Sequence, residues 1–311
     1  MTEAIRVRIA LAATVCSWAG AFVFIRVGAQ EYPVGGFLFI RFLAPAVLLG
    51  ALAARSGALV PPRGDRRAVL VLGLLFAAYL ALLIAGEQTV DAGTASMLAE
   101  TSPILAAVLA AIFLGERASR LLFVGLGISF AGTALIALSG EEGFEPSAGV
   151  LLVLAAAVAQ AALLVVQRPL LKRQPAVHVV AQASVVGAVL MLPFAGQAVE
   201  GVRDARVEAT LSIIALAITA GAISYVTLAY ALARSALTGA VTAVLYLVPP
   251  ATIVVGWITL GESPAPLSMM GGAVAVVGVV VATWRPAAAG PAIVDRAAEG
   301  MAEWDAPAAN R

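Results

Sequence analysis

The chain holds one cysteine, Cys16, and one histidine, His178, in 311 residues. A single cysteine excludes an intrachain disulfide and a cysteine-rich metal site. Val15 stands where a lipoprotein signal needs a small residue. A lone histidine beside Lys172 and Arg173 at a helix start reads as a solvated end residue and excludes a multi-histidine catalytic zinc site. No glycine-rich phosphate loop, GxSxG or HExxH run occurs, so no catalytic residue, metal or cofactor is expected. No polar segment is long enough to form a nucleotide domain, which excludes an ATP-driven pump. Charge is scarce too: 12% of residues, about half the ~25% of a soluble domain. Lys+Arg (19) and Asp+Glu (18) balance, so nucleic acid is not an expected partner. What fills the space is apolar, 62% of the chain. A soluble protein of this length has too little interior to hide it, and the excess must face a lipid bilayer.

A membrane helix needs about 20 mostly apolar residues. Ten such runs occur, over 9–27, 34–54, 68–86, 92–113, 120–139, 148–167, 177–197, 209–231, 237–259 and 266–284. Arg6 and Arg8 precede the first like a signal peptide. No cleavage site followed by a soluble domain comes after it, so it reads as a first anchor. With ten spans, fifteen of the 19 Lys and Arg residues fall on one side, three (Arg26, Arg203, Arg206) on the other, and Arg41 inside a span. Cytoplasmic loops carry the excess, which puts both termini in the cytoplasm, as for a bacterial inner-membrane protein. The tail after Arg285, residues 286–311, is rich in Ala, Gly and Pro and reads as a disordered cytoplasmic end.

The chain also repeats itself. Gly93, Pro103, Leu114-Gly115-Glu116, Gly125 and Gly132 recur without gaps as Gly239, Pro249, Leu260-Gly261-Glu262, Gly271 and Gly278, and Tyr79 recurs as Tyr225. Five spans separate the copies, and an odd number inverts the second. The expected halves are 1–140 and 147–285, joined at the turn-rich Ser139-Gly140-Glu141-Glu142-Gly143. An inverted repeat points to alternating access, and so to a transporter.

Two five-helix halves, each carrying Pro-x10-Leu-Gly-Glu before a glycine-rich last helix, resemble the drug/metabolite transporter superfamily and, within it, the EamA family. Ser17-Trp18-Ala19-Gly20 and Arg41-Phe42 fit the family's first half. The resemblance covers the chain except its tail. It implies ten helices around a central cavity, with the fifth helix of each half packed outside, and export of a small-molecule substrate. Similarity is greatest to exporters of aromatic and other neutral amino acids. Cationic drugs or nucleosides are the alternative cargo.

Several residues stand out against this background. Pro103, Pro249 and Pro250 lie inside spans 4 and 9, where an interior proline breaks a backbone hydrogen bond and kinks the helix. With Gly93 and Gly239 they are candidate hinges. Gly115 and Gly261 close helices, and Glu116 and Glu262 are placed to cap the helix that follows. The glycines at seven-residue spacing suit close helix contact, either within a monomer or across a weak homodimer. Glu100 lies near mid-membrane, where a charge is a functional-site hypothesis by default. Three readings stay open: an ion pair with Arg41 at similar depth, a proton-coupling site, or a site for a substrate ammonium. Trp18, Tyr79 and Tyr246 share that depth. With Ser96, Gln160, Thr242 and Glu100 they are the expected substrate site, centred where the repeat breaks its symmetry, Glu100 against Tyr246. Two rivals are weighed. An intramembrane enzyme needs a paired nucleophile and base at mid-depth, and one non-central histidine with no aspartate inside the spans argues against it; a non-transporting assembly protein is separated by flux.

Overall fold

The computed structural model describes residues 2–28, 31–87, 92–138, 148–261 and 265–284. The joint at 139–143, Glu262 and the tail 286–311 lie outside them. The described secondary structure is all helical. In chain order the helices are α1 (Glu3–Gly28), α2 (Val34–Arg55), α3 (Arg66–Glu87), α4 (Ala92–Ala99), α5 (Ser102–Leu114), α6 (Arg120–Ala137), α7 (Ala148–Leu171), α8 (Ala176–Leu190), α9 (Ala195–Asp204), α10 (Val207–Leu216), α11 (Ser224–Arg234), α12 (Thr238–Ala243), α13 (Val248–Leu260) and α14 (Pro266–Thr283). Nine crossings satisfy length and hydropathy among the described residues, and a bent pair makes the tenth. Large apolar side chains such as Phe113, Leu151, Trp257 and Ile258 stand at least 60% exposed. On a soluble protein they would be a liability; in a bilayer they are the lipid-facing surface.

Four crossings are not simple helices. The seventh is expected as one run over 177–197, but α8 stops after 15 residues. That is about 22 Å of rise, short of a ~30 Å hydrocarbon core. A 3-10 turn, Leu192–Phe194, then bends the chain by 56° into α9. Pro193 helps end the run, and α9 carries Gln197, Glu200, Arg203 and Asp204, polar enough for the interface. The eighth crossing runs α10–α11 through a π-helical segment, Ala217–Ile223.

The fourth and ninth crossings break at mid-depth, and they break alike. Glu100 and Thr101 separate α4 from α5, and a 3-10 turn, Val244–Leu247, separates α12 from α13. The starts of α4 and α12, and both ends of α5 and α13, differ by the 146-residue offset of the repeat. The prolines do not sit in helix interiors, as the pattern implied. Pro103 and Pro249 occupy the first turn of a new helix, where the missing N–H has no intrahelical acceptor to lose. They start half-helices rather than kink whole ones.

The glycine stripes settle how the halves meet. A Cβ on Gly125 would lie 2.2 Å from the Ala282 backbone, one on Gly132 2.4 Å from Ala275, one on Gly271 2.6 Å from the Gly132 carbonyl and one on Gly278 2.3 Å from Ser129. Only glycine permits this approach of α6 and α14. The contacts are reciprocal: Gly125 meets Ala282, and Gly271, its counterpart, meets Ile136, the counterpart of Ala282. The Ser129 hydroxyl donates to the Ala275 carbonyl (3.1 Å, 146 residues apart). Equivalent residues touching each other mark a pseudo-two-fold axis, and contacts that run in opposite directions along α6 and α14 make the pair antiparallel. The glycines are thus consumed inside one chain and are not free to build a homodimer. The last helix of each half packs on the other. α2 against α8 and α3 against α7 add to the contact between halves, as do α1 against α10 and α11 and α5 against α7 and α12.

Candidate functional site

A cavity of about 170 Å³ lies between α1, α2, α3 and α10, lined by Ile25, Tyr32, Val34, Phe37, Arg41, Leu83, Ile84, Glu87 and Leu216. Val34 opens α2 and Glu87 closes α3, so the cavity sits toward the face opposite the start of α1. The first turn of α2 can pack there because Gly35 and Gly36 carry no side chain. A Cβ on Gly36 would fall 2.7 Å from the backbone of Gln197 and Ala198 in α9. Tyr32 is wedged against Gly201, and its hydroxyl shares a 2.7 Å hydrogen bond with Thr210. Outside the membrane on this face, Arg206 donates to Glu31 through its side chain and its amide. These bonds hold the Glu31 carboxyl below its usual range and push Arg206 up.

Arg41 forms the polar floor. Its Nη1 donates to the Leu216 carbonyl (2.9 Å) and its Nη2 to the Ala220 carbonyl (3.2 Å). Those carbonyls border the π-helical segment, whose wider turn leaves acceptors without their ordinary i+4 partners. Gly221 makes room, since a Cβ there would sit 3.0 Å from Arg41 Nη1. The Ala220 carbonyl also accepts from Trp18 Nε1 (3.4 Å) and the Ser224 hydroxyl (2.8 Å). Trp18 continues into an aromatic chain, edge-on to Tyr225 at 5.6 Å, then Phe76 at 4.5 Å and Phe42 at 5.0 Å. Of the three readings open for Glu100, the ion pair with Arg41 does not form. The described pairs join Arg6 and Arg234 to Glu3, Arg168 to Glu116, Arg173 to Asp65 and Arg206 to Glu31.

The expected substrate set is not assembled around this cavity. Tyr246 is fully buried, and its hydroxyl donates to the Glu100 carbonyl (2.7 Å, 146 residues apart), a second contact across the pseudo-two-fold axis. Thr242 is fully buried and bonds the Pro103 and Gly239 carbonyls. Gln160 accepts from the Ser102 hydroxyl at 2.6 Å, and Ser96 is exposed on α4. Tyr79 packs beside the main core, within electrostatic reach of Arg41, Glu87 and Glu100. Tyr246, Thr242 and Gln160 are spent joining helices, and none of the set lines the cavity. Gly239 is a packing contact rather than a loose hinge: a Cβ there would meet Ala107 and Leu122 at 2.8 Å. Gly93 lies in the first turn of α4.

The opposite face is closed by polar clasps. Gly115 and Gly261 end α5 and α13 with φ of +66° and +68°, a left-handed turn that favours glycine. Glu116 does not cap the helix that follows; Ser119 does that, accepting from the Leu122 amide at 3.1 Å. Instead Glu116 crosses to the other half. It accepts from the Thr238 amide (2.6 Å), the Thr238 hydroxyl (2.7 Å) and Arg168 Nε (2.9 Å). The carboxylate therefore caps the start of α12, where helix dipole and free N–H groups favour an anion. Arg168 completes the clasp by donating to the Leu232 and Ser235 carbonyls at the end of α11. A second clasp runs from Arg173 and Gln174 to Asp65 (2.8 Å each) and from Gln182 to Gln174 and the Ala58 carbonyl. Sequence reasoning counted Arg168 only as a loop cation. The signal for its burial was its place before Pro169 within the helical run, flanked by apolar residues.

The model of the EamA-like transporter family matches residues 7–138 and again 147–284. The chain belongs to the EamA-like transporter family. It is a multi-pass membrane transporter and not an enzyme. It is 39% identical over 278 residues to a probable terminal-alkyne amino-acid exporter of Streptantibioticus cattleyicolor, covering 89% of this chain and 93% of that one. An uncharacterized transporter of Bacillus subtilis is 34% identical, with 84% and 86% covered. One of Archaeoglobus fulgidus is 30% identical, with 88% and 96% covered. A crystal structure at 19% identity superposes with a TM-score of 0.75 over 89% of this chain and 96% of the other, a likeness of fold.

Proposed function

We propose that this EamA transporter exports neutral amino acids with apolar side chains, aromatic ones included, across a bacterial inner membrane, with both termini cytoplasmic. The observation that carries the reading is a cavity between membrane helices near one face, with mostly apolar walls and Arg41 at its floor, while hydrogen-bonded clasps join the halves at the other face. That arrangement is one end state of an alternating-access cycle. The halves 1–140 and 147–285 are the moving bodies, the broken crossings at Glu100–Thr101 and Val244–Leu247 are the joints, and the monomer suffices. A relative named as an amino-acid exporter supports the cargo class. The lining carries one cation, Arg41, and one carboxylate, Glu87, a combination that suits a zwitterion better than a cationic drug.

The test is flux. Purified protein in liposomes, loaded with labelled leucine or phenylalanine, is expected to release it faster than empty liposomes. Runs with and without a pH gradient separate a proton antiporter from a facilitated carrier. Absence of flux for every amino acid tried, in a reconstitution that retains folded protein, overturns the reading.

A further inference from the structure

The charge at the cavity floor lacks a counterpart. Arg41 lies seven residues into α2, about 10 Å below the outer helix end at ~1.5 Å per residue. A guanidinium at such depth is strongly disfavoured unless something compensates it. No described carboxylate pairs with it. Two of its N–H groups reach backbone carbonyls, which aim the fork without neutralising it, and three donors remain. Apart from Tyr32 and Glu87, the rest of the lining is apolar. Glu87 is the last residue of α3, at the outer rim. It lines the same cavity but forms no ion pair with Arg41.

We propose that Arg41, aimed by the carbonyls of Leu216 and Ala220, is a carboxylate-binding residue, and that the cargo docks with its carboxylate on Arg41 and its apolar side chain among Ile25, Phe37, Leu83 and Ile84. This rests on the amino-acid reading above and adds the group that is recognised. A planar guanidinium matches a carboxylate through two parallel hydrogen bonds, and the ligand supplies the missing negative charge. The cavity size sets the side chain. At about 170 Å³ it is close to the ~150 Å³ apolar cavity that takes benzene, so it accommodates a branched aliphatic chain or a phenyl ring, with little space left for an indole.

The experiment uses the full chain in detergent, with L-phenylalanine, L-phenylalaninamide and 3-phenylpropionate as calorimetric probes. The amide lacks the carboxylate and the phenylpropionate lacks the amine. The acid is expected to bind about tenfold to a hundredfold tighter than the amide, the range of a charge-assisted pair, and phenylpropionate is expected to bind measurably. Arg41→Lys keeps the charge but loses the fork, and is expected to reduce the acid-over-amide preference by roughly tenfold. Ile84→Trp fills the cavity without touching the carbonyls that hold Arg41, and is expected to weaken acid binding by a similar factor. It decides the matter if Arg41→Lys does not fold. Equal binding of acid and amide to the native protein overturns the proposal, as does a preference that survives Arg41→Lys or acid binding that Ile84→Trp leaves unchanged. The two readings fail differently. Arg41-dependent acid binding without amino-acid flux removes the export reading and leaves this site, whereas flux competed equally by the amide removes this site and leaves export.

Discussion

Removing the Glu116 carboxylate is the sharpest test of how the closed face is held. Glu116 and Arg168 side chains are 11% and 10% exposed, so the pair is mostly desolvated. In Glu116→Ala three hydrogen bonds vanish at once. Arg168 Nε, the Thr238 amide and the Thr238 hydroxyl lose their acceptor, while Arg168 keeps the Leu232 and Ser235 carbonyls. Breaking one side of a buried pair costs about 3–5 kcal/mol; with two carbonyls still on the guanidinium, the low end, about 3 kcal/mol, applies. Glu116→Gln retains an acceptor for Thr238 but turns an amide donor toward Arg168, and is expected to lose about half as much. On the alternating-access proposal the loss falls on the clasped conformer alone. About 3 kcal/mol is roughly 150-fold, enough to take a 99:1 population to about 40:60. The assay is labelling of Ile84→Cys by a membrane-impermeant maleimide, in a Cys16→Ser background that removes the one native thiol. Labelling is expected to fall by about half or more in Glu116→Ala. A double-mutant cycle with Arg168→Met is expected to show coupling of about 1.5–3 kcal/mol. Unchanged labelling, or strictly additive losses, refutes the clasp as a device that discriminates between conformers.

Other expectations follow from the same contacts. Gly278→Val places a Cβ 2.3 Å from Ser129 and 2.7 Å from the Gly125 carbonyl, so α6 and α14 must separate. The loss, about 1–3 kcal/mol or more, should appear as a lower midpoint in thermal unfolding, whereas Gly127→Ala, with open space around its Cβ, should leave the midpoint in place. Tyr246→Phe deletes the hydroxyl bonded to the Glu100 carbonyl. It should lower stability by about 0.6 kcal/mol, typical of a membrane hydrogen bond, and leave competition among substrates unchanged in a flux assay. Glu31 is bonded to Arg206 and its carboxyl is held below the usual range. Its contribution is therefore present above the unfolded carboxylate pKa and lost as pH falls through the lowered folded value. Glu31→Gln should flatten the acid limb of a stability profile below about pH 4.5 and, because the pair is exposed, the difference should shrink at high salt.

What the chain disclosed before folding was what local chemistry controls. Apolar run length locates the crossings, because a bilayer demands it of each helix separately. The offset between Pro103 and Pro249 foretells that α5 and α13 begin and end in matching places, because proline and glycine set helix boundaries within a turn. What stayed hidden depends on partners far along the chain. Glu116 reads as a local cap because its spacing is local; its partner Thr238 lies 122 residues away. Arg41 and Glu100 share a depth, which invites pairing, but depth says nothing about which way each crossing is rotated. Arg41 turns instead to a π-helical segment whose sequence, Ala217–Ile223, carries no signature of its own beyond Gly221. The cavity draws on α1, α2, α3 and α10, with Tyr32 and Glu87 at crossing ends, positions that sequence reading assigns to loops.

The mismatch of Glu100 with Tyr246 has a reason in the symmetry itself. A residue on a two-fold axis faces its own counterpart. Ser129 and Ala275 do so with a hydroxyl-to-carbonyl bond, and Glu100 and Tyr246 do so with another. If position 246 were also Glu, two carboxylates would be brought together at mid-membrane, where like charges repel most and water is scarce. The repeat must therefore diverge at this point to fold as one chain. A tyrosine serves: it donates one hydrogen bond to the frayed backbone where α4 ends and brings no second charge. The same divergence locks Tyr246 in place by its bond to the Glu100 carbonyl. On the proposed reading it leaves the binding chemistry to the cavity over Arg41, so that the inverted repeat supplies the frame that rocks and the departures from it supply the recognition.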